Sequence, residues 1–338
     1  MTDIAGRDTF EIGRDDVVLV VAEHHAGAPR ASALELLTAA RALGVVHAVW
    51  LGEGGDAAAA LLGRYGAGVV HTVPDLPERL PPTTAEVLTG LVAETCAVTV
   101  LLTSTFANKE VAARLALATG AGLVVDASSV KRGDDGRVVT TQQAFAASWT
   151  LRCAVTVPLA VVALKSNAVP AIPLEAPPTP EVRVHETPAL VETVPDARVL
   201  VVDRTPRPES GRPDLGEAQV VVVGGRGTEG DFSPVEDLAD ALGGAVGATR
   251  VATDEGWISH DTMVGQTGVS ISPRLYVGAG VSGAIHHRGG MQASGTIVAV
   301  NDDPDAPIFE FADFGVVGDL FTVLPQAAAE IRRLRSQG

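Results

Sequence analysis

The sequence predicts an α/β protein of two domains, an N-terminal α/β sheet domain over residues 1–211 and a C-terminal doubly wound parallel-sheet domain over residues 212–338. Short apolar runs alternate with segments of helical periodicity in both parts, which is the pattern of parallel sheets joined by helices. A length of 338 residues suits two domains. Seven prolines within residues 170–195 indicate an extended strap rather than a helix at the end of the first domain.

In the N-terminal domain, the apolar runs predict strands and the segments between them predict helices. The first predicted helix, Ser32–Leu43, has apolar residues at helical spacing and ends before Gly44. The predicted strands are Val17–Ala22, Val45–Leu51, Val98–Thr103 and Gly122–Val125, and the other predicted helices are Ala57–Tyr65, Thr83–Glu94 and Asn108–Thr119. A more antiparallel part is expected from strands at Val138–Thr141, Ala154–Val157 and Ala160–Ala163, and a strand returning to this domain is expected at Arg198–Asp203.

The C-terminal domain begins with a strand and a glycine-rich turn. Ala218–Val223 is an unbroken apolar run, and residues 225–230 then match the G-x-G-x-x-G pattern of dinucleotide-binding turns. A helix is predicted to follow, with Ser233 as its N-cap and Pro234 at its first position. Because 36 of the 338 residues are glycine, the same pattern also fits a plain strand–helix turn. The turn by itself therefore leaves both interpretations open.

The residues after the next strand argue against NAD as the ligand. A site for NAD needs an acidic residue about 20 residues beyond the glycine turn, where it binds the ribose. Here the predicted strand Gly244–Gly247 leads to Thr249 and Arg250, a hydroxyl and a cation. A ligand with anionic groups or an electron-rich ring is therefore favoured. The alternatives are a nicotinamide-dependent oxidoreductase and a nucleotide-binding regulatory subunit without redox chemistry.

Two further loops combine small residues with polar donors. Gly265–Gly268 offers an amide and a hydroxyl, and residues 280–285 predict a tight turn and a helix start, where a diphosphate can approach a helix N-terminus. His286 and His287 close this segment. They are poorly placed to share a metal ion, because adjacent helical side chains point about 100° apart. No metal site and no acid–base catalytic set is predicted.

Taken together, these motifs resemble the electron transfer flavoprotein alpha subunit family. The resemblance is strong and in order over residues 213–326, and it is looser over residues 103–130. The segments that carry it are GGRG (224–227), LADALGGAVGATR (238–250), VGQTG (264–268), VSGAIHH (281–287), TIVAVN (296–301) and GDLF (318–321).

The resemblance implies a function and a set of partners. It implies an electron carrier, rather than an enzyme, that holds one FAD in the C-terminal domain. It also implies an obligate heterodimer in which the N-terminal domain contacts a beta subunit. Electrons would come from flavin dehydrogenases, such as the acyl-CoA dehydrogenases of fatty acid oxidation, and would pass to an acceptor such as a membrane quinone reductase. An electron-bifurcating member of the same family is a further alternative.

The same resemblance implies which residues contact the cofactor. These positions are Arg226, Thr249, Arg250, Val264, Gly265, Gln266, Thr267, Gly268, Ser282, Gly283, Ala284, Ile285, His286, His287, Asn301, Asp319 and Leu320. Thr249 stands where the family commonly has serine, which keeps the hydroxyl. His286 stands where the family usually has glutamine, and an imidazole cannot supply an amide's donor and acceptor together.

The implied roles divide the FAD into three parts. Arg226 would lie near the adenine-side phosphates, residues 282–285 would line the diphosphate and ribityl chain, and Asn301 with Asp319 would hold the adenosine half. The third part is the isoalloxazine ring.

At the ring, Arg250 would lie over one face, and Gln266 with Thr267 would face the edge, the Thr267 hydroxyl near N5. His287 would approach the pyrimidine carbonyl near N1. Arg250 and His287 are therefore expected to meet the negative charge of the reduced ring. Such a charge pair at about 4 Å contributes roughly 4 kcal/mol at an effective dielectric near 20.

Composition excludes several classes of protein. A net charge of −16 argues against nucleic acid and anionic membrane surfaces as partners, and it suits a basic partner surface. No uncharged apolar run reaches transmembrane length, and the first 16 residues contain acids and no signal core. Cys96 and Cys153 lie in apolar sequence without metal-ligand spacing, which predicts buried thiols in a reducing compartment. A bacterial cytoplasmic location is therefore expected.

Overall fold

The computed structural model describes residues 16–74, 76, 80–145, 148–186, 202–203 and 211–337. The chain divides into two compact units. The first comprises Met1–Gln142 and Thr150–Thr205, and the second comprises Gln143–Trp149 and Pro206–Gly338. Each unit is a mixed α/β layer structure built on its own sheet, as the sequence predicts.

Eleven strands and four helices lie wholly or mainly in the described residues of the first unit, with only Gln143, Ala144 and Trp149, at the facing ends of two of the strands, assigned to the second. The strands are β1 (Val17–Val21), β2 (His24–His25), β3 (Ala28–Pro29), β4 (Val45–Leu51), β5 (Val69–Val73), β6 (Thr99–Thr103), β7 (Gly122–Arg132), β8 (Val138–Ala144), β9 (Trp149–Ala154), β10 (Ala160–Leu164) and β11 (Glu181–Val184). The helices are α1 (Ala31–Ala40), α2 (Gly55–Arg64), α3 (Pro81–Thr95) and α4 (Phe106–Thr119).

Nine of these strands form one sheet in the order β11-β5-β4-β1-β6-β10-β7-β8-β9. From β11 to β7 every neighbouring pair is parallel, whereas β7 and β8 are antiparallel. Helices α1 and α2 pack with one face of the sheet, and α3 and α4 pack with the other. Because both faces are covered, the central strands are mostly apolar, which explains the apolar runs in the sequence.

Most of these elements were predicted from the sequence, but the strand neighbours of β10 and their direction were predicted wrongly. The strand Val45–Leu51 is confirmed to the residue. The strand predicted at Ala160–Ala163 was expected in an antiparallel part, and this is wrong, because β10 (Ala160–Leu164) lies between β6 and β7 and is parallel to both. The strand expected at Ala154–Val157 ends at Ala154 instead. The strand expected at Arg198–Asp203 lies largely outside the described residues.

The proline-rich strap is described as far as residue 186, and it contains a strand that the sequence did not reveal. Glu181–Val184 pairs in parallel with β5 at the edge of the sheet. Upstream of it, Pro180 packs so close to α2 that a Cβ atom at Gly63 would lie 2.7 Å from Pro180 Cγ. The strap is thus anchored along the sheet edge by backbone pairing and by proline–glycine contact.

The second unit contains five strands and four helices among its described residues. The strands are β12 (Val220–Gly224), β13 (Ala245–Ala248), β14 (Leu275–Ala279), β15 (Thr296–Asn301) and β16 (Phe314–Val317). The helices are α5 (Ser233–Leu242), α6 (Arg250–Asp254), α7 (Ile285–Met291) and α8 (Leu320–Arg335). The predicted N-cap is shifted by one residue, because Phe232 holds that position and Ser233 begins the helix.

The second sheet is entirely parallel, in the order β13-β12-β14-β15-β16. Helices α5 and α8 pack on one face, in a cluster that includes Leu238 and Leu324. On the other face, Met291 of α7 packs with loop residues such as Ile271 and Ile308. This arrangement confirms the doubly wound parallel sheet that the sequence predicts.

Two smaller expectations have different outcomes. Cys96 is exposed, in the left-handed conformation that ends α3, so the prediction of a buried thiol there is wrong. Cys153 is partly buried, and its Sγ lies 3.2 Å from Gln142 Oε1. Within the described residues, no helix is long and apolar enough to cross a membrane.

Three histidines connect the strap to the first sheet. His71 Nε2 lies 3.1 Å from His47 Nδ1, His71 Nδ1 lies 2.9 Å from His185 Nε2, and His185 Nδ1 faces Glu94 Oε2 at 3.6 Å. With a carboxylate at one end, the chain of contacts is satisfied when each ring carries one proton, on Nδ1. Burial, and next the neighbouring His47 and His185, lower the pKa of His71 to about 4.

Folding stability should therefore depend on pH through His71. Between about pH 6.5 and pH 4 the unfolded chain binds a proton that the folded His71 does not, so stability falls as pH falls. At pH 4.5 the loss should reach about 2–3 kcal/mol relative to pH 7. Denaturant unfolding of His71→Gln at both pH values should show a smaller difference than the parent. The exposed His25→Gln is the matched control, and an unchanged difference in His71→Gln would contradict the assignment.

Candidate functional site

The carboxyl ends of the second sheet contain a topological switch point. The chain goes from β12 to β13 on one side, and then crosses to β14 on the other side of β12. In such sheets, the loops that follow the two strands at the switch border a crevice where ligands bind. Here those loops are residues 225–232 after β12 and residues 280–284 after β14.

These two loops are joined backbone to backbone. Gly225 N donates to Ala279 O at 2.9 Å, and Gly227 N donates to Gly280 O at 3.1 Å. A Cβ atom at Gly225 would lie 2.2 Å from Gly280 O, and Gly280 itself has a φ of +62°. The glycines of the G-x-G turn therefore permit close packing of the two loops. Arg226 lies between Gly225 and Gly227 in the sequence, and its side chain is exposed.

The loop that contains Gln266 is joined to α7 in the same way. Gln266 N donates to His286 O at 3.0 Å, and a Cβ atom at Gly290 would lie 2.4 Å from Gly265 Cα. Val264 and Gly265 are buried in this contact, whereas Gln266 and Thr267 remain exposed, with Gly268 half-buried behind them. The packing thus presents an amide and a hydroxyl to solvent on a fixed backbone.

His286 and His287 have different surroundings although they are adjacent. His286 is exposed, and its Nδ1 lies 3.3 Å from Gln266 Oε1. Since a carbonyl oxygen only accepts, the imidazole donates in this contact. His287 is 7 % exposed, with Nδ1 at 3.0 Å from Val264 O and Nε2 at 2.7 Å from the Tyr276 hydroxyl.

These contacts give His287 a role other than the expected cation. Burial lowers the pKa of His287 to about 4, and the hydrogen bond to Val264 O only partly offsets it. At neutral pH the imidazole is therefore neutral in this structure. Its partner Tyr276 is fully buried and was missed in the sequence, where it reads as one more apolar residue of a strand.

Thr249 and Arg250 lie where β13 gives way to α6. Thr249 N donates to Gly224 O at 3.0 Å, which ties this loop to the glycine turn. Arg250 has a side chain 67 % exposed, and its Nε donates to Asp254 Oδ2 at 3.3 Å. Exposed ion pairs contribute only about 0–1 kcal/mol, so the guanidinium can turn toward a ligand at little cost.

Asn301 is the last residue of β15 and Asp319 follows β16, and both side chains form hydrogen bonds within the protein. Asn301 is buried, and its Nδ2 donates to Val281 O at 2.9 Å. Asp319 caps α8, because its Oδ1 accepts from Phe321 N at 3.0 Å, and Leu320 beside it is buried. Asn301 thus supports the 280–284 loop from below.

The remaining predicted positions lie on the loop after β14 and at the start of α7. Gly283 is buried, while Ser282, Ala284 and Ile285 are exposed, and Ile285 is an apolar side chain 71 % exposed. All these residues follow carboxyl ends of parallel strands, so they lie at the same edge of the sheet. Two exposed arginines, several hydroxyl and amide donors and an exposed isoleucine fit a ligand with phosphates and a flat, partly apolar ring.

Comparison with known proteins agrees with this geometry. The family described as "Electron transfer flavoprotein domain" matches residues 18–190, and "Electron transfer flavoprotein FAD-binding domain" matches residues 214–292. The chain is 44% identical over 321 residues to the electron transfer flavoprotein subunit alpha of Mycobacterium tuberculosis, which covers 93% of this chain and 98% of that protein. The chain belongs to the electron transfer flavoprotein alpha subunit family.

Other members of the family are similar over nearly the whole chain or over part of it. The electron transfer flavoprotein subunit alpha of Bacillus subtilis is 33% identical over 326 residues, covering 94% of this chain and 98% of that protein. The mitochondrial alpha subunit of Dictyostelium discoideum is 53% identical over 127 residues, 37% of this chain and 36% of that protein. As a member of this family the chain is an electron carrier that binds FAD, and a beta subunit is its implied partner.

The match to the FAD-binding domain covers most, but not all, of the predicted site residues. It includes the positions from Arg226 to His287, and it ends before Asn301, Asp319 and Leu320. The first group lies on the segments that follow β12, β13 and β14, including the first turns of α6 and α7. The individual contacts of all these residues with FAD remain predictions.

The close approach of Gly225 and Gly280 gives a test of the crevice. Gly225→Ala should lower the retention of FAD at least tenfold, because its Cβ forces the two loops apart. Retention is measured from the flavin absorbance left after dialysis. Gly216→Ala is the matched control, since its added Cβ would meet ordinary contacts no closer than 3.7 Å. Equal retention by the two variants would contradict the role given to the loop contact.

Proposed function

We propose that this chain is the FAD-carrying subunit of a heterodimer that accepts electrons from flavin dehydrogenases, such as acyl-CoA dehydrogenases, and delivers them to a membrane quinone reductase. The observation that carries the proposal is the set of exposed donors at the carboxyl edge of the second sheet, on loops held together by backbone contacts. When bound there, FAD supplies the redox ring. The protein's residues bind it, orient it and set the charge around it.

The phosphates are proposed to bind beside the switch point. Arg226 is exposed on the loop after β12, and Ser282 is exposed on the loop after β14. The two loops are fixed relative to each other by the hydrogen bond from Gly227 N to Gly280 O. A diphosphate between them would receive a cation from one side and a hydroxyl from the other, as charge-assisted recognition of phosphate requires.

The isoalloxazine ring is proposed to lie between α6 and the Gln266 loop. Arg250 provides the positive charge, because its guanidinium is exposed and held only by the surface pair with Asp254. Gln266 and Thr267 provide neutral donors from a loop anchored to α7. Since His287 is buried and neutral, Arg250 is the cation of this part of the site that meets the charge of the reduced ring.

The adenosine half is proposed to lie over the ends of β15 and β16. Asp319 is exposed there at the N-terminus of the 16-residue helix α8, and Asn301 holds the carbonyl of Val281 beneath the loop. In this proposal Asp319 contacts the ligand, and Asn301 acts by fixing the loop.

A partner subunit is proposed to cover the open side of the site. Ile285 is largely exposed at the start of α7, and the loops around it have polar groups facing solvent. A flavin ring left open to solvent loses electrons to oxygen, so a carrier benefits from a second protein over the ring. The net charge of −16 suits partners with basic contact surfaces.

The carrier function is tested by reconstitution. Co-expressed with its beta subunit, the chain should purify as a 1:1 complex with one FAD. That FAD should be reduced by an acyl-CoA dehydrogenase and its substrate, and reoxidised by a quinone reductase. Stopped-flow absorbance follows both steps, with NADH as the control donor. Reduction by NADH in place of the dehydrogenase would favour the bifurcating or nicotinamide-dependent alternative.

Replacing Arg250 should lower the reduction potential of the bound FAD. Arg250→Ala removes the cation at the ring, and a loss of roughly 1–3 kcal/mol corresponds to about 40–130 mV for one electron. Potentials are measured by spectroelectrochemistry on the complex. Arg274→Ala is the matched control, because Arg274 is exposed just before β14, at the opposite edge of the sheet. If both variants keep the parent's potential, Arg250 does not have the proposed role.

A further inference from the structure

Helix α7 has two adjacent glycines, Gly289 and Gly290, within only seven residues. Glycine is among the least favourable residues in the interior of a helix, so a pair of them indicates a requirement of packing. Both glycines lie against the loop 264–268. Gly290 makes room for the backbone of that loop, because a Cβ atom there would lie 2.4 Å from Gly265 Cα. Gly289 makes room for a side chain of the same loop.

The side chain that packs against Gly289 is that of Gln266. The three atoms nearest to a Cβ atom at Gly289 would all belong to it: Cγ at 2.7 Å, Nε2 at 2.7 Å and Cδ at 3.0 Å. Atoms that are not bonded do not approach a real Cβ atom to 2.7 Å, so Gln266 can keep this position only while residue 289 has no side chain. Gln266 therefore lies along the surface of α7.

His286 contacts the far end of the same side chain. It precedes Gly289 by three residues, so the two positions are neighbours on the surface of α7. His286 Nδ1 lies 3.3 Å from Gln266 Oε1, and the main chain adds the hydrogen bond from Gln266 N to His286 O at 3.0 Å. Together His286 and Gly289 form a platform that contacts both the stem and the amide of Gln266.

This platform restricts a side chain that would otherwise be free to move. Gln266 is exposed, and an exposed glutamine samples many rotamers, which it loses when a ligand orders it. The contacts with His286 and Gly289 remove part of that freedom in advance. A polar group that is ordered before binding contributes more to affinity, because less entropy is lost when the ligand arrives.

We propose that Gly289 and His286 are positioning residues of the flavin site: they hold the side chain of Gln266 against α7 and so determine where its amide meets the ring. This inference rests on the proposed location of the ring beside the loop 264–268. Gly289 has no side chain with which to contact a ligand, so its contribution passes through Gln266. A larger residue at position 289 moves the amide without removing any polar group from the site.

The test uses Gly289→Ala in the complex with FAD and the beta subunit. The new methyl group meets a flexible side chain, which can move aside, so the fold should be kept. Because the reduced ring is the more negative form, loss of one neutral donor should weaken its binding about three- to tenfold relative to the oxidised ring. The one-electron reduction potential should then fall by about 30–60 mV. Gly90→Ala is the matched control, since Gly90 is a helical glycine of α3 with open space around it.

A double substitution separates positioning from direct contact between the new methyl group and the ligand. In a Gln266→Ala background, Gly289→Ala should leave the potential unchanged, because the side chain that it displaces is absent. A shift of the same size in both backgrounds overturns the proposal. So do equal potentials for the parent and Gly289→Ala.

Crystal structures of the complexes test the contact itself, independently of the potential. Gln266 should lie against Gly289 and His286 in the parent, and its amide should leave that position in Gly289→Ala and in His286→Ala. An amide that keeps its position in both variants overturns the proposal. If the amide moves but Gln266→Ala keeps the parent's potential, the assignment to the flavin site is overturned. In that case the error lies in the proposed position of the ring and not in the platform on α7.

Discussion

The contact between the glycine turn after β12 and the loop after β14 is the constraint on which the candidate site depends. Gly225 and Gly227 donate to the carbonyls of Ala279 and Gly280, and the approach leaves no room for a side chain. Because both loops border the switch point, their packing fixes the backbone from which the exposed donors project. The glycines of the turn allow the two loops to pack closely, and this packing determines the positions of the donors that face the ligand.

Strand bounds were predicted well where burial alone determines them. The order of strands in the sheet, which depends on pairing between distant segments, was predicted poorly. The strand β4 is buried along most of its length, so its apolar run marks its bounds. The strand β5 has the same burial but contains His71 and Thr72, and it was missed. The position of β10 between β6 and β7 depends on pairing between residues that are far apart in the sequence, and local periodicity carries no information about such pairing.

The candidate site shows the same division. Arg250 and Gln266 were recognisable, because exposed polar residues in glycine-rich loops stand out against apolar strands. Tyr276 was not recognisable, since its importance lies in one buried hydrogen bond across 11 residues of sequence. For His287, the residue was identified but its charge was not, because burial decides that charge. Local sequence thus reveals which groups face a ligand better than it reveals what holds them.

The exposed isoleucine at the start of α7 has a thermodynamic consequence. Ile285 is 71 % exposed, and any molecule that covers the site removes its apolar surface from water. Removal of such surface lowers the heat capacity of the system, so the enthalpy of association becomes more negative as temperature rises. The affinity for whatever covers Ile285 will therefore vary with temperature along a curve, because its enthalpy of association is not constant.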